Sequence, residues 1–286
     1  MPFAYRYADY ERYREAVGPA TYIDITRRTD PACVPRVWDN LAEILHRAGP
    51  PWIVQAWTKN VAGVLSLGGR LLADLVAAGT TVTVQLTVTG LAGTVWEPEV
   101  PTDVWRDLPA LLEIVGGPEH VAWRYDPIIP GVHTAERFAM LAGEAARLGI
   151  TRGVINFVAP PGRYRRVDER LAPLLPGWAE GMPGYDAAWR RDTARELVEI
   201  ARRVAGTGNA IALHCCAEYS ALSAEVPGLG QAACGDYDWF VALSGRDPGQ
   251  AASTGSRPGC GCARYFDVGY YGMWARCHRC AYCYAG

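Results

Sequence analysis

The sequence predicts an α/β fold of the parallel barrel type, whole or partial, with about six to seven strands in one domain covering residues 1–286. Three observations point there. Apolar, β-branched stretches alternate with stretches of helical periodicity, most helical stretches end on a glycine, and the strands are apolar enough to be buried on both faces. A chain of 286 residues, half of them apolar, is long enough for one large core.

The first strand is TYIDITRR, followed by VPRVWDNLAEILHRAG, in which Val34, Val37, Trp38, Leu41, Ile44, Leu45 and Ala48 share one helical face. Gly49 stands where a left-handed C-cap belongs. WIVQAWTKN and RLLADLVAAG form the second strand and helix, TVTVQLTVTG and DVWRDLPALLEIVGG the third, HVAWRYDPI and AERFAMLAGEAARLG the fourth. The fifth strand, RGVINFV, precedes a long basic loop and the helix YDAAWRRDTARELVEIARRVAG. AIALHCCAE is a sixth strand, and RYFDVGYY, a seventh, runs into the cysteine-rich segment 260–286. Residues 159–184 and 244–260 read as loops.

The strand candidates end in polar residues: Thr26, Arg27, Arg28 and Asp30; Thr58, Lys59 and Asn60; Thr87 and Thr89; Arg124 and Asp126; Asn156; His214 and Glu218. In a parallel barrel these ends share one face, where active sites are built. Loops after strands are polar in any case, so single residues also fit helix caps or structural pairs. Arg124, Asp126, Lys59 and Glu218 are the candidate catalytic groups, Arg124 as a carboxylate clamp or as the structural partner of Asp126. His214 reads as a packing residue.

Formal net charge is −2 and the pI is near 6.2, which argues against a nucleic-acid partner, and the basic run GRYRRVDER reads as a solvated loop. With no signal-peptide pattern and no apolar run of membrane length, a soluble cytoplasmic protein is expected.

Nine cysteines, five of them in the last 27 residues, suit metal binding better than a disulfide framework. Cys277, Cys280 and Cys283 are spaced C-x2-C-x2-C, which lets a short turn present three sulfurs to one side. Zinc would need a fourth ligand. A four-iron, four-sulfur (4Fe-4S) cluster on three cysteines would keep one iron open. Spacing alone leaves both readings standing.

The end of this segment, CAYCYAG, resembles the cluster loop of radical S-adenosylmethionine enzymes, with Tyr282 at the aromatic position before the third cysteine. In that superfamily the loop follows the first barrel strand; here it comes last, as in a circular permutation. Taken with ITRRTD, WTKN, QLTVTG, WRYDPII, CAE and CGC…DVG…CAYCYA, the chain resembles from end to end the uncharacterised family called domain of unknown function 1848. The interval between the first two tail cysteines, filled by His278 and Arg279, is one residue shorter than is usual there, and no GGE-like stretch is present.

The resemblance implies a 4Fe-4S cluster on Cys277, Cys280 and Cys283, an external electron donor, and S-adenosylmethionine cleaved reductively to a 5′-deoxyadenosyl or 3-amino-3-carboxypropyl radical that modifies a small molecule or peptide. Tyr282, Arg27, Arg28 and Asn156 are then the candidate cofactor contacts. It also implies a second set, Cys216, Cys234, Cys260 and Cys262, for another iron–sulfur cluster or a zinc ion. Cys215 and Cys216 equally read as buried strand residues, and Cys33 as packing. A zinc-stabilised binding module and, from a tail that also resembles that of spore photoproduct lyase, a nucleic-acid lesion repair enzyme are the competing functions.

Overall fold

The structure is a computed structural model that describes residues 5–204, 210–216, 219–249 and 261–285. Strand alternation decides what the sheet presents to each side. In β1 (Tyr22–Ile25), β2 (Ile53–Thr58), β3 (Thr81–Thr87), β4 (Val121–Ile128) and β5 (Arg152–Phe157), one alternate set, including Ile23, Val54, Val84, Trp123 and Ile155, is buried in the main apolar core. The other set includes Tyr22, Asp24, Gln55, Gln85 and Arg124, all buried.

Helices cover the apolar set. α2 (Arg36–Ala48), α3 (Val61–Ala77), α4 (Val104–Val115), α5 (Ala135–Arg147) and α7 (Ala187–Val204) each follow a strand and bury a stripe, such as Leu41 and Ile44 or Leu108 and Leu111, in the same core. Each such side chain contributes roughly 1.5–3 kcal/mol.

β6 (Ala212–Cys215), β7 (Gly230–Gln231) and β8 (Phe266–Asp267) complete an all-parallel sheet of eight strands in the order β7-β6-β5-β4-β3-β2-β1-β8. This is a barrel sequence in which the last strand returns beside the first. Closure is incomplete: β7 and β8 are the edges among the described residues, linked nearby by Ala263 N donating to Gly235 O at 2.8 Å. The fold is therefore a partial barrel with eight strands rather than six or seven. The strand missed in the sequence, β7, is only two residues long and has no apolar pattern. Beneath the inner face lies α9 (Tyr237–Ser244), whose Phe240 ring is 4.8 Å from Tyr22 and 6.2 Å from Trp52, at the strands' N-terminal ends. The opposite, C-terminal end carries the polar residues.

Other departures have local causes. α1 (Tyr7–Val17) is a helix that its polar, tyrosine-rich composition hides; it docks by Tyr10 and Tyr13 on Phe266. α3 begins at Val61, ahead of the expected start at Arg70, because the Asn60 side chain caps it by accepting from Gly63 N. Gly68 inside α3 lies against the Trp38 ring, where any Cβ would collide. Gly49 has the expected positive φ of 81°, but its ψ of −179° is extended rather than left-handed helical. The loop 159–184 contains α6 (Arg165–Leu171), and a single turn, α8 (Leu222–Glu225), precedes β7. Among the described residues, no helix is long and apolar enough to cross a membrane.

Candidate metal centre

After β8 the chain passes through a 3-10 turn at Trp274–Arg276 into the tail. Backbone groups hold this tail. Ala281 N donates to Trp96 O at 3.0 Å, Trp274 Nε1 to Cys280 O at 2.9 Å, and Cys283 N to Cys280 O at 3.2 Å. Arg170 of α6 donates to Ala281 O at 2.9 Å and to Cys283 O. Much of the basic run therefore works within the protein: Arg170 braces the tail, Arg165 pairs with Glu169, and Asp168 accepts from Trp178 Nε1. With the loop fixed by its backbone, the sulfurs remain for chemistry. All eight described cysteines are free thiols.

Two buried carboxylates organise the surroundings. Glu97, 1% exposed, accepts from Lys59 Nζ at 2.8 Å, from Thr89 Oγ1 at 2.7 Å and from the Tyr282 hydroxyl. Burial works against the Lys59 ammonium, but Glu97 beside it holds its pKa above the usual lysine value. Burial equally opposes the Glu97 carboxylate, and Lys59 with the other donors holds its pKa low. Both groups are charged, as a desolvated pair.

Asp30 is the second carboxylate. It accepts from Thr58 Oγ1 at 2.9 Å, Lys59 N at 2.6 Å, Ala32 N at 2.9 Å and His278 Nε2 at 2.8 Å. The other nitrogen of His278, Nδ1, lies 3.1 Å from Glu99 O. Both partners are acceptors, so both ring nitrogens must donate and the ring is an imidazolium. Burial disfavours that charge, yet Asp30 raises the pKa to about 9. In this state His278 has no lone pair for a metal.

Cys33, expected to be a packing residue, belongs to this site. Cys33 Sγ, Cys277 Sγ and a His278 ring nitrogen lie within 4.8 Å of one another. The hydrogen bond with Cys33 draws the Cys277 thiol down to about 6, whereas burial pushes Cys280 up to about 12 and also raises Cys283. Among the described residues, Cys277, Cys280 and Cys283 do not themselves gather within 4.8 Å. A tetrahedral zinc site, with Zn–S bonds of about 2.3 Å, needs sulfurs closer than about 4 Å. A cluster of several atoms spreads its ligands more widely.

The barrel interior holds the second set. Cys216 and Cys234 sulfurs are 3.3 Å apart, Cys262 Sγ accepts from Gly235 N and Arg27 Nη1 at 3.4 Å each, and Asn156 Nδ2 is 3.4 Å from Cys216 Sγ. The Cys234 thiol lowers Cys216 to about 7, and Cys234 itself rises to about 11. Arg27 pairs with Asp24 and Arg124 with Asp126, and the Trp57 ring has these guanidinium carbons 5.3 and 5.1 Å from its centroid. Arg124 also donates to Gln85 Oε1 at 3.2 Å, and Asn156 Nδ2 to Asp126 Oδ2 at 3.1 Å.

The predicted site residues thus fall into two neighbouring groups. Lys59 and Tyr282 join Cys277, Cys280 and Cys283 at the tail; Arg27, Arg124, Asp126 and Asn156 join Cys216, Cys234 and Cys262 inside. Asp126 links them, since its charge also acts on Lys59 and Tyr282. Arg28 stands at the rim, 3.5 Å from Asp267 and stacked 4.5 Å over Tyr271. His214 packs, with Nδ1 3.2 Å from Gly153 O. Glu218 and Cys260 lie outside the described residues. Sequence reasoning missed Glu97 and Cys33. The need of a buried Lys59 for a counter-charge was the one available signal for Glu97, and nothing in its own segment, WEPE, marks it.

The fold and these two sites define a parallel α/β partial barrel with a cysteine-rich candidate metal centre across the C-terminal strand ends. The chain belongs to the family described as "Domain of unknown function (DUF1848)", which matches residues 50–285 and so includes both cysteine sets but not ITRRTD. No curated protein matches the chain.

Proposed function

We propose that this protein is a radical S-adenosylmethionine enzyme in which Cys277, Cys280 and Cys283 would hold a 4Fe-4S cluster. The observation that carries the reading is where the tail docks. Through His278 and Asp30 it lies against the loop after β1, the place where the superfamily that it resembles carries its cluster cysteines. A tail at the end of the chain thereby reaches the usual position.

The donor set fits such a group. Three thiols share one short segment whose backbone is already bonded, and burial leaves Cys280 and Cys283 poorly solvated as thiolates, a penalty that bound iron offsets. Glu97 and Asp30 are neutralised by Lys59 and His278, so neither competes as a hard oxygen ligand. When bound, the cluster and S-adenosylmethionine together supply one-electron cleavage of a carbon–sulfur bond and a carbon radical.

The chain's own residues bind, orient and exclude water. Arg27 and Arg124, held by Asp24 and Asp126 around Trp57, offer cationic donors to a carboxylate on the cofactor or on a small-molecule or peptide substrate. Asn156 orients Asp126, and Lys59 keeps a positive charge beside the tail. α9 covers the far end of the interior, which leaves the C-terminal face for entry. The reduction requires an external electron donor. Cys216, Cys234 and Cys262 are a second candidate site for iron–sulfur or zinc.

The close grouping of Cys33, Cys277 and His278 favours a second reading, a structural zinc ion, which would require His278 to release Asp30 or Glu99. Anaerobic reconstitution with iron and sulfide, followed by reduction with S-adenosylmethionine and mass spectrometry of the fragments, separates the two. Release of 5′-deoxyadenosine or of an aminocarboxypropyl product supports the proposal and identifies the bond cleaved. A colourless protein with one zinc ion and no cofactor cleavage contradicts it.

A further inference from the structure

Cys33 stands on the loop between β1 and α2, far in sequence from the tail. The two segments nevertheless turn on one carboxylate. Ala32 N donates to Asp30 Oδ1 at 2.9 Å and Cys33 N to Asp30 O at 3.0 Å, which sets the direction of the Cys33 side chain. His278 Nε2 donates to Asp30 Oδ2 at 2.8 Å, which sets the position of Cys277 beside it. Two loops pinned to the same residue bring two sulfurs to the same place. Cys33 Sγ is 3.6 Å from His278 Nε2, and both sulfurs belong to one group within 4.8 Å.

The tail spacing gives the coincidence a use. Only His278 and Arg279 separate Cys277 from Cys280, and Arg279 has a φ of 56°, in the left-handed region that ordinary residues avoid. A loop this short limits how far Cys277 can reach while Cys280 stays bonded through its carbonyl to Trp274. A sulfur from another loop at the same spot removes that limit.

We infer that Cys33 and Cys277 share one ligand position of the tail centre, so that either sulfur completes the set with Cys280 and Cys283 for a thiophilic metal or iron–sulfur centre. The inference rests on the proposed reading of the tail as a metal centre, and the test separates the two.

The full-length protein is reconstituted anaerobically with iron and sulfide, desalted, and assayed for bound iron and acid-labile sulfide as wild type, Cys33→Ala, Cys277→Ala, the double variant and Cys280→Ala. The difference between wild type and Cys280→Ala is the content of the tail centre. Cys33→Ala and Cys277→Ala are each expected to keep more than half of that difference, and the double variant to lose all of it. Cys277→Ala falling to the Cys280→Ala level while Cys33→Ala stays at wild type would overturn the sharing and leave the tail reading standing. A Cys280→Ala protein with wild-type iron would overturn both. Alkylation mass spectrometry guards against loss of metal through unfolding. In Cys277→Ala, reconstitution should protect the Cys33 thiol at least severalfold from alkylation, and an equally reactive Cys33 before and after loading would contradict the inference.

Discussion

In the tail, the backbone takes the hydrogen bonds: Ala281 N, Cys280 O and Cys283 O are all engaged, and the nearby carboxylates Glu97 and Asp30 are matched by Lys59 and His278. In the barrel interior the sulfurs themselves take part, with Cys216 against Cys234 and Cys262 accepting from Arg27 and Gly235 N. The contrast is physical as well as topological. The tail is a loop laid over strand ends, where main-chain groups need partners; Cys216, Cys234 and Cys262 also stand outside the strands, but inside the barrel, where Asn156, Arg27 and Gly235 N bond to their sulfurs. The tail sulfurs are bonded as well, Cys277 to Cys33 and Cys283 to the Ala285 backbone, so a metal displaces thiol contacts in either region; what distinguishes the tail is that the charges around it are settled.

The largest effect that separates the regions is expected from Glu97→Gln, which leaves the buried Lys59 without its carboxylate. Breaking a buried pair from one side costs roughly 3–5 kcal/mol. Thermal unfolding should show a marked drop and the tail should retain less iron, while the double change Glu97→Gln with Lys59→Met recovers most of the stability. An unchanged midpoint in the single variant would mean that the pair does not hold the tail.

Cys216→Ser should act in the other region alone. Loss of the Cys216–Cys234 contact and placement of a hydroxyl in a buried site are expected to cost about 1–2 kcal/mol. Iron and sulfide at the tail, measured against Cys280→Ala, should not change. Loss of tail iron would show that the two sets form one unit.

The smallest effect concerns Asp267, on the edge strand β8 beside Arg27 and Arg28. Burial raises its pKa to about 6, above an unfolded value near 4. A raised carboxyl pKa means that the folded state favours the protonated form. Its contribution is therefore full below about pH 4 and is lost as pH rises through about 6. Asp267→Asn should flatten the change in unfolding midpoint across that window. The net gain at neutral pH should be about 1 kcal/mol, because the amide gives up the Arg28 ion pair and one acceptor for the Arg27 and Gly269 backbone donors. A variant whose midpoint varies with pH as the wild type's does would rule Asp267 out as the titrating group.

The strand and helix order was legible because apolar alternation and helical periodicity are local properties of the chain. β7, of two residues, and α1, held by two buried tyrosines, exist through tertiary contacts and left no such local signal. The three tail cysteines were legible as a spaced motif, and the strand-end polar residues as a set. Their division between tail and interior was not, since it depends on which way each strand turns its alternate residues. Cys33 and Glu97 were missed for a related reason. Each gains its place from a partner distant in the chain, His278 for the one and Lys59 and Tyr282 for the other.

Electron paramagnetic resonance of the anaerobically reconstituted, reduced protein, recorded with and without S-adenosylmethionine, tests the central claim most directly. A 4Fe-4S cluster on Cys277, Cys280 and Cys283 predicts a reduced-cluster signal that shifts when S-adenosylmethionine is added and is absent from Cys280→Ala. No signal that responds to the cofactor, or a cofactor-responsive signal that persists in Cys280→Ala, would contradict it.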